Sequence, residues 1–239
     1  MVNILLSTDD NYVMPTGVLM TSICQNTKSK ITFYIMTNAD FKDESKAALK
    51  RNIVMYNQQI VFIPVESSVT KDFPFGRPDQ PKHVSIATYY RLLITKLLPE
   101  DIDKIIYLDG DMIVMDDIEK YFNEDIEGYA VGAVIDQDME ENVRNERLGY
   151  PKEEGYFNAG SLLINLKYWR DHHVYAKFIK VIHEKADIII FHDQDVLNYT
   201  FHNQKRWISP RYNIQTNFLV AKKISQYSED VISAIKNPL

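Results

Sequence analysis

The sequence predicts an α/β fold with a mainly parallel sheet and helices on both faces. Apolar runs of strand length alternate with segments of helical periodicity from the first residues onward, as in consecutive βαβ units. Acidic residues directly follow several predicted strands, where ligands bind in open α/β sheets. The chain has 239 residues, of which 45% are hydrophobic and 25% charged, and this size and composition predict a single domain over residues 1–239.

The first part of the chain predicts a βαβ unit followed by a further helix and strand. Ile4–Ser7 and Ile31–Met36 are apolar runs of strand length, and Val13–Gln25 between them has helical periodicity. Asp43–Met55 repeats the helical pattern and Ile60–Val65 the strand pattern. The five elements alternate as a parallel sheet requires.

The middle of the chain contains a strand that ends on two acids. Phe73–Pro81, with its prolines and glycine, predicts an irregular loop, and Ser85–Leu97 predicts a helix. Lys104–Leu108 is apolar and β-prone, and it stops abruptly at the sequence Asp-Gly-Asp of residues 109–111. A second short apolar run, Met112–Met115, follows.

The last part of the chain continues the alternation. Tyr129–Ile135 and Asn158–Asn165 predict strands. Lys167–Glu184 predicts an amphipathic helix and Asp193–Phe201 a shorter one. The polar stretch Gln137–Gly155 has no convincing periodicity, and we interpret it as a flexible lid or a loop on the substrate side of a site.

The charge balance and the cysteine count exclude several classes of protein. The formal net charge is −6, and no basic block is dense enough to track a phosphate backbone, so nucleic acid is not an expected partner. An acidic protein that handles a phosphorylated ligand commonly places a divalent cation between carboxylates and phosphate oxygens. The single cysteine, Cys24, excludes an intrachain disulfide. With no signal peptide or spanning apolar run, we expect a cytoplasmic location.

Asp109 and Asp111 carry the sharpest signal. Two carboxylates one residue apart at a strand end can turn toward one hard cation that also binds diphosphate oxygens, and Gly110 allows the backbone to bend between them. A solvated turn is the alternative, because Asp and Gly are common in turns. An EF-hand is excluded, since Ile113 and Val114 occupy loop positions that require an acid and a glycine.

Asp9, Asp10 and Asn11 form a second cluster after the first predicted strand. Their short polar side chains can hydrogen-bond a nucleobase and a ribose, although capping of the next helix is an equally good interpretation. The glycine-rich dinucleotide fingerprint and the P-loop motif are both absent. A nucleotide would therefore be bound in another way.

Arg91, Asp136 and residues 192–195 are further candidates. The guanidinium of Arg91 can reach phosphate or sugar hydroxyls, but it can equally form an ordinary surface ion pair. Asp136 follows a predicted strand, as Asp109 does. Residues 192–195 read His-Asp-Gln-Asp and begin a predicted helix, where acids are also favoured by the helix dipole.

Five sequence blocks carry a pattern beyond local structure: Leu6–Tyr12, Ser85–Leu92, Tyr107–Asp111, Tyr156–Leu166 and Asp193–Asn198. Taken together, they resemble glycosyltransferase family 8. They occur in the family's order and span nearly the whole chain, so their conjunction is specific although each block alone is weak. The family includes bacterial lipopolysaccharide galactosyl- and glucosyltransferases and the eukaryotic glycogenins.

The resemblance implies a GT-A type fold, a UDP-hexose donor, a manganese or magnesium ion held by Asp109 and Asp111, and transfer with retention of the anomeric configuration. The donor-binding positions that it implies are Ser7, Thr8, Asp9, Asn11, Tyr12, Arg91, Asp109, Gly110, Asp111 and Asn158. The implied catalytic positions are Arg91, Asp136, Asp193 and Gln194. Among these, Gln194 matches the residue nearest the anomeric carbon, on the face opposite the leaving group.

The expected reaction follows from the charge that bond cleavage creates. Breaking the glycosidic C–O bond leaves negative charge on UDP, so a cation at the leaving group stabilises the transition state more than the ground state. Glutamine is poorly suited to the two-carboxylate scheme of retaining hydrolases, and we therefore expect same-face attack by the acceptor hydroxyl. The implied acceptor is a glycan, a lipid-linked sugar or lipopolysaccharide, and the choice of glucose or galactose stays open.

The sequence departs from the family pattern at its C-terminal end. The family's third metal ligand is a histidine in a His-aromatic-x-Gly segment that precedes Lys-Pro-Trp, and the sequence ends at Leu239 without one. We expect the chain to lack a C-terminal segment and to bind metal weakly in the absence of nucleotide. We also expect any peripheral association with the inner face of the plasma membrane to depend on that segment.

Two other functions are open at this point. Phosphatases of the haloacid dehalogenase type also place Asp-x-Asp after an apolar strand, but their motif usually opens the domain, whereas Asp109 follows a complete βαβ unit. A non-catalytic nucleotide-sugar-binding module would use the same donor residues, and the missing histidine is compatible with it.

Overall fold

The computed structural model describes residues 1–81, 85–136, 141–216 and 229–239. A seven-stranded sheet runs through them in the order β3–β2–β1–β4–β6–β5–β7. The strands are β1 (Val2–Thr8), β2 (Ile31–Asn38), β3 (Gln59–Val65), β4 (Lys104–Leu108), β5 (Val131–Ile135), β6 (Phe157–Asn165) and β7 (Lys205–Trp207).

The helices of the described residues lie between these strands and after the last of them. They are α1 (Val13–Asn26), α2 (Asp43–Val54), α3 (Ser67–Thr70), α4 (Ile94–Leu97), α5 (Ile118–Phe122), α6 (Glu141–Leu148), α7 (Leu166–Asp171), α8 (Val174–Glu184), α9 (His192–Phe201) and α10 (Glu229–Lys236). Segments of 3₁₀ helix are Ile86–Leu93, Lys152–Glu154, Ala186–Ile188 and Pro210–Tyr212.

The predicted mainly parallel sheet is confirmed. β1 is parallel to β2 and β4, β2 is parallel to β3, and β5 is parallel to β7. β6 lies between β4 and β5 and is antiparallel to both. The parallel strands therefore all end at one edge of the sheet, where β6 begins, and this edge collects the polar residues that follow β1, β4 and β5.

Helices cover both faces of the sheet, as predicted. Alternate residues of a strand point to opposite faces, so Leu5 joins one core while Ile4 and Leu6 join the other. The core around Leu5 is completed by the 3₁₀ segment Ile86–Leu93 and by α7, α8 and α9. The opposite core is completed by α1, α2 and α5.

The predicted helix Ser85–Leu97 is wrong over most of its length. The structure has a 3₁₀ segment at Ile86–Leu93, and only α4 is α-helical. Repeats of 3.0 and 3.6 residues are hard to distinguish over so short a segment. In addition, the Nε of Arg91 donates to the carbonyl of Thr88 at 3.2 Å, so a side chain bonds a main-chain oxygen within the segment.

The predicted helix Lys167–Glu184 is two helices, α7 and α8. His173 has φ +50° and ψ +42°, the left-handed conformation that ends an α-helix. Its N–H donates to the carbonyl of Arg170 at 3.1 Å, which completes α7 before α8 begins at Val174. The amphipathic pattern continues through the break, and for this reason periodicity alone predicted one helix.

The polar stretch Gln137–Gly155 contains regular structure that periodicity did not indicate. α6 and the 3₁₀ segment Lys152–Glu154 lie within it, while residues 137–140 lie outside the described part of the chain. Charged contacts hold α6. Arg144 Nη1 lies 3.2 Å from Asp136 Oδ1, and Arg147 pairs with Asp195 on α9. A helix attached by guanidinium groups needs no apolar stripe, so the hydrophobic pattern could not reveal it.

Asp195 fixes the start of α9. Its fully buried carboxylate accepts hydrogen bonds from the N–H groups of Ile190 and Phe191 at 2.7 and 2.8 Å and from the Tyr156 hydroxyl at 2.8 Å. Arg147 donates to both carboxylate oxygens at 2.8 and 2.9 Å. α9 is therefore tied to β6 and α6, and the two residues before Asp195 are held in place with it.

The run Met112–Met115 forms no regular element, but its end is pinned. The N–H of Met115 donates to the carbonyl of Leu239 at 2.9 Å, and the N–H of Leu239 donates to the carbonyl of Arg211 at 3.1 Å. Within the described residues, no helix is both long and apolar enough to cross a membrane.

His173→Gly is expected to raise the free energy of unfolding by about 0.5 to 1 kcal/mol, because glycine adopts the left-handed conformation without the steric cost of a Cβ. Urea denaturation of the two proteins measures the difference. His173→Ala keeps the Cβ and should bring no such gain. A glycine variant less stable than the parent would contradict a strained left-handed turn between α7 and α8.

Candidate active site

The Asp-Gly-Asp turn lies at the end of β4, tied to β6 and packed under α1. The N–H of Asp109 donates to the carbonyl of Gly160 at 2.7 Å. Gly110 is buried, and a Cβ there would lie 2.9 Å from Thr16 Oγ1 and 3.1 Å from Tyr12 Cδ1. Gly110 does not have a positive φ. The chain does turn at Gly110, as the sequence predicts, but with no positive φ the turn itself does not need glycine, which is required instead by the close approach of Tyr12 and α1.

The two carboxylate oxygens of Asp109 have different environments. Oδ1 accepts hydrogen bonds from Arg91 Nη2 at 2.9 Å and from the Tyr107 hydroxyl at 2.8 Å. Oδ2 lies against Gly160, where a Cβ would come within 2.9 Å of it, and it accepts no hydrogen bond from the described residues. The side chain is 41% exposed. One oxygen thus orients the carboxylate and the other is available to a ligand.

Asp111 is exposed and connected to the start of α1. The Tyr12 hydroxyl donates to Asp111 Oδ2 at 2.8 Å. Partial burial, and then the hydrogen bond to Asp111, raise the pKa of Tyr12 to about 12. Tyr12 therefore remains a neutral hydrogen-bond donor across the physiological range, with its ring beside Gly110.

The three polar residues after β1 divide between two roles. Asp9 Oδ1 accepts the N–H of Asn11 at 2.9 Å and shapes the loop. Asp10 Oδ1 accepts from the N–H of Lys42 at 3.2 Å and from Ser45 Oγ at 2.6 Å. Asp10 therefore anchors the start of α2, and the predicted capping of α1 is wrong, because α1 has no side-chain cap.

Ser7 and Thr8 end β1 on opposite faces of the sheet. The Thr8 hydroxyl is buried and lies 2.9 Å from Thr16 Oγ1 on α1. The Ser7 hydroxyl is buried as well and has no hydrogen-bond partner in the part of the chain that the structure describes. Any contact of Thr8 with a ligand would therefore come from its main chain.

Arg91 is the centre of charge in the site. The side chain is buried, its Nη2 lies 2.9 Å from Asp109 Oδ1, and its Nε lies 2.9 Å from Asp193 Oδ2. Nη1 donates to the carbonyl of Ala159, and the guanidinium lies 3.8 Å from the centroid of the Tyr107 ring. Burial lowers the pKa of Arg91, but Asp193, Tyr107 and Asp109 together raise it above its usual value, so the residue stays charged.

Asp193 is the buried partner of this charge. Burial raises the pKa of Asp193 to about 6, against the lowering effects of Arg91 and of the Thr88 hydroxyl, which donates to Oδ1. Desolvation of the carboxylate is therefore only partly offset by its partners. The surface ion pair that the sequence left open for Arg91 is excluded, because Arg91 and Asp193 are both buried.

Gln194, Asp136 and Asn158 form a second connected group. Gln194 Nε2 donates to Asp136 Oδ2 at 2.9 Å, and Gln194 Oε1 accepts the N–H of Ala159 at 2.9 Å. Asn158 Nδ2 also donates to Asp136 Oδ2, at 3.2 Å. Both ends of the Gln194 amide are thus fixed. Ala159 connects this group to Arg91, because its N–H bonds Gln194 and its carbonyl bonds Arg91.

Three polar residues of the site were not predicted from the sequence as individual contributors. Tyr107 lies two residues before Asp109 on the same face of β4, so strand periodicity indicates the contact. Thr88 and Arg91 both lie in the 3₁₀ segment Ile86–Leu93, three residues apart, so their closeness could also be inferred from the sequence. Asn213 donates to Asn158 Oδ1 at 2.8 Å across 55 residues, and no local pattern links that pair.

The two acids of the turn fit a hard divalent cation. Asp109 Oδ2 and the exposed carboxylate of Asp111 are oxygen ligands of the kind that Mn²⁺ and Mg²⁺ prefer. Among the described residues, no group of three or more His, Cys, Asp or Glu side chains could hold a metal ion. The cation would therefore share these two carboxylates with diphosphate oxygens and water.

Comparison with known proteins identifies the family. The model of "Glycosyl transferase family 8" matches residues 3–235, which is nearly the whole chain. The chain belongs to glycosyl transferase family 8. The resemblance inferred from the five sequence blocks is thus confirmed, and we refer to the protein below as the family 8 chain.

Two relatives and one solved structure illustrate the similarity. A Haemophilus influenzae protein is 33% identical over 88% of this chain and 62% of its own length. The lipopolysaccharide 1,3-galactosyltransferase of Salmonella typhimurium is 27% identical over 89% of this chain and 63% of its own length. The chain thus spans less than two thirds of these two relatives.

The solved structure extends the comparison to the fold. The galactosyltransferase LgtC, in complex with donor and acceptor sugar analogs, superimposes with a TM-score of 0.84 at 28% identity, over 100% of this chain and 84% of that one. The family 8 chain therefore has the GT-A type fold that the resemblance implied.

Arg91→Met is expected to lower the free energy of unfolding by about 3 kcal/mol, because it leaves Asp193 buried without its opposite charge. Urea denaturation measures the loss. Arg206→Met is the matched control, since Arg206 and its partner Asp125 are 46% and 69% exposed, and a change within about 0.5 kcal/mol is expected there. Equal effects of the two substitutions would contradict the central role of Arg91.

Proposed function

We propose that the family 8 chain transfers glucose or galactose from a UDP-sugar to a hydroxyl of a glycan, lipid-linked or lipopolysaccharide acceptor, with retention of configuration and with Mn²⁺ or Mg²⁺ at the diphosphate. One observation carries the proposal. The orienting bonds of Asp109 leave one carboxylate oxygen for a cation, and the same guanidinium that makes one of these bonds also pairs with Asp193, beside Gln194.

The nucleotide would lie along the loop that follows β1. Asp9 and Asn11 can hydrogen-bond the uracil and ribose, and Tyr12 has an exposed ring beside the Asp-Gly-Asp turn. Ser7 and Thr8 would line the same end of β1, with Thr8 acting through its main chain. The donor would therefore extend from the end of β1 to the end of β4, with its diphosphate at Asp109 and Asp111.

Charge at the leaving group is the electrostatic problem that the site must solve. A divalent cation, when bound, neutralises the negative charge that develops on UDP. Arg91 keeps the Asp109 carboxylate oriented, and it brings one positive charge to a region that otherwise holds the acids Asp109, Asp111 and Asp193. The fixed bonds mean that little reorganisation is needed when the glycosidic bond breaks.

The hexose would lie between the Arg91 group and the Asp136 group. Asp193 and Asp136 are buried and their oxygens are already bonded, so they would act by positioning Arg91 and Gln194 beside the sugar, while the half-buried Asn158 would offer its amide. Gln194 is neutral and held at both ends of its amide, so it can orient the sugar but is a poor nucleophile. We therefore favour same-face attack by the acceptor hydroxyl, with retention. A product whose anomeric configuration by NMR is opposite to that of the donor would contradict it.

The alternative functions differ in their support. Membership of a glycosyl transferase family speaks against a haloacid-dehalogenase-like phosphatase. A non-catalytic nucleotide-sugar-binding module has one observation in its favour, because the described residues offer the cation no third side-chain ligand of the types His, Cys, Asp and Glu.

Metal-dependent release of UDP from UDP-glucose or UDP-galactose is the decisive assay for the full-length protein. We expect release with Mn²⁺ or Mg²⁺ and none with EDTA. Asp109→Asn and Asp111→Asn should each lower turnover by about 100-fold, because each removes a charged ligand of the cation at the leaving group. By calorimetry, Mn²⁺ should bind weakly alone and more tightly with UDP.

Asp187→Asn is the control for these variants, since Asp187 is an exposed acid near α9, and its turnover should match the parent. Hydrolysis of a simple phosphomonoester without UDP release would support the phosphatase. UDP binding without hydrolysis or transfer would support the binding module.

The activity of the enzyme is expected to fall as the pH drops through about 6. The pKa of Asp193 is raised to about 6, so the carboxylate is ionised and paired with Arg91 above that pH, and it binds a proton below it. Thr88→Val removes a hydrogen bond that lowers this pKa, so the acid limb of kcat/KM should move to higher pH.

Thr200→Val is the matched control for the pH profile, because Thr200 donates only to the carbonyl of Val196 within α9. Its profile should coincide with that of the parent protein. An acid limb unchanged in Thr88→Val would show that Asp193 does not set the low-pH loss.

A further inference from the structure

Trp207 presents an aromatic ring to solvent at the end of the edge strand β7. The residue is 43% exposed, whereas the other tryptophan of the chain, Trp169, is 1% exposed and packs against Phe178 and Phe201. Single exposed apolar side chains are common on protein surfaces. The exposure of Trp207 is informative because neighbouring residues hold its ring in place and because the ring lies near the candidate site.

The indole of Trp207 is held in place by its neighbours. Gly155 packs against it so closely that a Cβ on Gly155 would lie 2.9 Å from Cζ2. Lys205 Nζ lies 4.8 Å from the centroid of the ring. Lys205 is itself buried, donates to the carbonyl of His202 and lies 3.9 Å from Glu154 Oε2. The ring is thus a preorganised flat surface, and Lys205 links it to the carboxylate of Glu154.

Trp207 lies near the Asp136 group, where the hexose is proposed to bind. Trp207 is opposite Ala133 in the parallel pair of β7 and β5. Asp136 lies three residues further along, about 10 Å at 3.3 Å per residue. Gly155 precedes Tyr156, whose carbonyl accepts the N–H of Asp136 at 2.9 Å. A short oligosaccharide can span this separation.

The nucleotide half of the donor is on the other side of Asp136. β7 is four strand positions from β1 in the sheet, or about 19 Å at 4.8 Å per strand. The nucleotide residues proposed above, Asp9 and Asn11, follow β1. A ligand that contacts both Trp207 and the Asp136 group therefore approaches from the side away from UDP, which is the side left for the acceptor.

The chemistry of the patch suits a sugar. A hexose has a face of C–H groups, which are attracted to the negative face of an aromatic ring, and it has hydroxyls that donate to a carboxylate such as that of Glu154. We propose that Trp207 and Glu154 form an acceptor subsite, in which the indole stacks on a hexose unit that precedes the hydroxyl to be glycosylated. This rests on the proposed transferase function.

Tryptophan fluorescence tests binding directly, because one tryptophan is exposed and one is buried. Lactose, maltose and cellobiose are titrated in the presence of UDP and Mn²⁺. At least one disaccharide should shift the emission to the blue and protect it from acrylamide, both in the parent and in Trp169→Phe. The response should vanish in the Trp207→Phe variant, which keeps Trp169, because only the buried tryptophan then emits. The absence of any response to all three sugars overturns the proposal.

Kinetics supply the second readout. With the disaccharide that binds, Trp207→Ala should raise the KM for the acceptor about tenfold, which corresponds to about 1.4 kcal/mol. Trp207→Tyr should raise it less, because tyrosine retains an aromatic face. The KM for the UDP-sugar and its hydrolysis without acceptor should not change. Tyr129→Ala is the control, since Tyr129 is an exposed aromatic just before the opposite end of β5.

The outcomes separate the subsite from the proposed function. If the protein hydrolyses UDP-sugars but Trp207→Ala leaves the acceptor KM unchanged, the subsite is wrong and the transferase function stands. If no UDP-sugar is hydrolysed, the function fails, and the fluorescence titration alone then decides whether Trp207 binds a sugar.

Discussion

The buried guanidinium of Arg91 is the interaction on which the rest of the site depends. A charge removed from water needs opposite charges and hydrogen bonds close by, and Arg91 obtains them from β4 through Asp109 and from α9 through Asp193. If either acid moved away, the buried guanidinium would lose part of its compensation. The Asp-Gly-Asp turn and the start of α9 are thus held next to each other by a single side chain.

The insertion of β6 between β4 and β5 gives the site its second half. β6 is antiparallel to its neighbours, so it begins at the edge where they end. Asn158 and Gly160, near its start, consequently lie beside the residues that follow β4 and β5. The carbonyl of Ala159 accepts a hydrogen bond from Arg91, and its N–H donates one to Gln194. Ala159 therefore joins the group around Arg91 to the group around Asp136.

Much of the fold could be predicted from local sequence patterns. The strands from Val2 to Asn165 correspond closely to apolar runs, because buried parallel strands are apolar on both faces. The errors occurred where a polar interaction decides the conformation. A side chain of the 3₁₀ segment bonds its own main chain, His173 adopts a left-handed turn, and α6 is attached by guanidinium groups. Hydrophobic periodicity contains no information on any of these.

The candidate site was predicted unevenly. Asp109, Asp111 and Asp136 were recognisable because they follow strands that converge at one edge. Asp10 was grouped with them, yet it anchors the start of α2, since residue type alone does not distinguish an acid that fixes a helix end from a ligand. Asn213 and Trp207 were not predicted, because their places depend on the path of the chain after α9.

The sequence by itself determined the family, the alternation of strands and helices, and the identity of the acids at the strand ends, because these are encoded in short motifs and in local hydrophobic patterns. Only the tertiary structure decided how the charges are paired, which oxygen of Asp109 accepts no hydrogen bond from the described residues, and which aromatic ring is exposed on the edge strand next to β5. Those properties depend on distances between residues far apart in the chain, and such distances are fixed only when the sheet and its helices pack together.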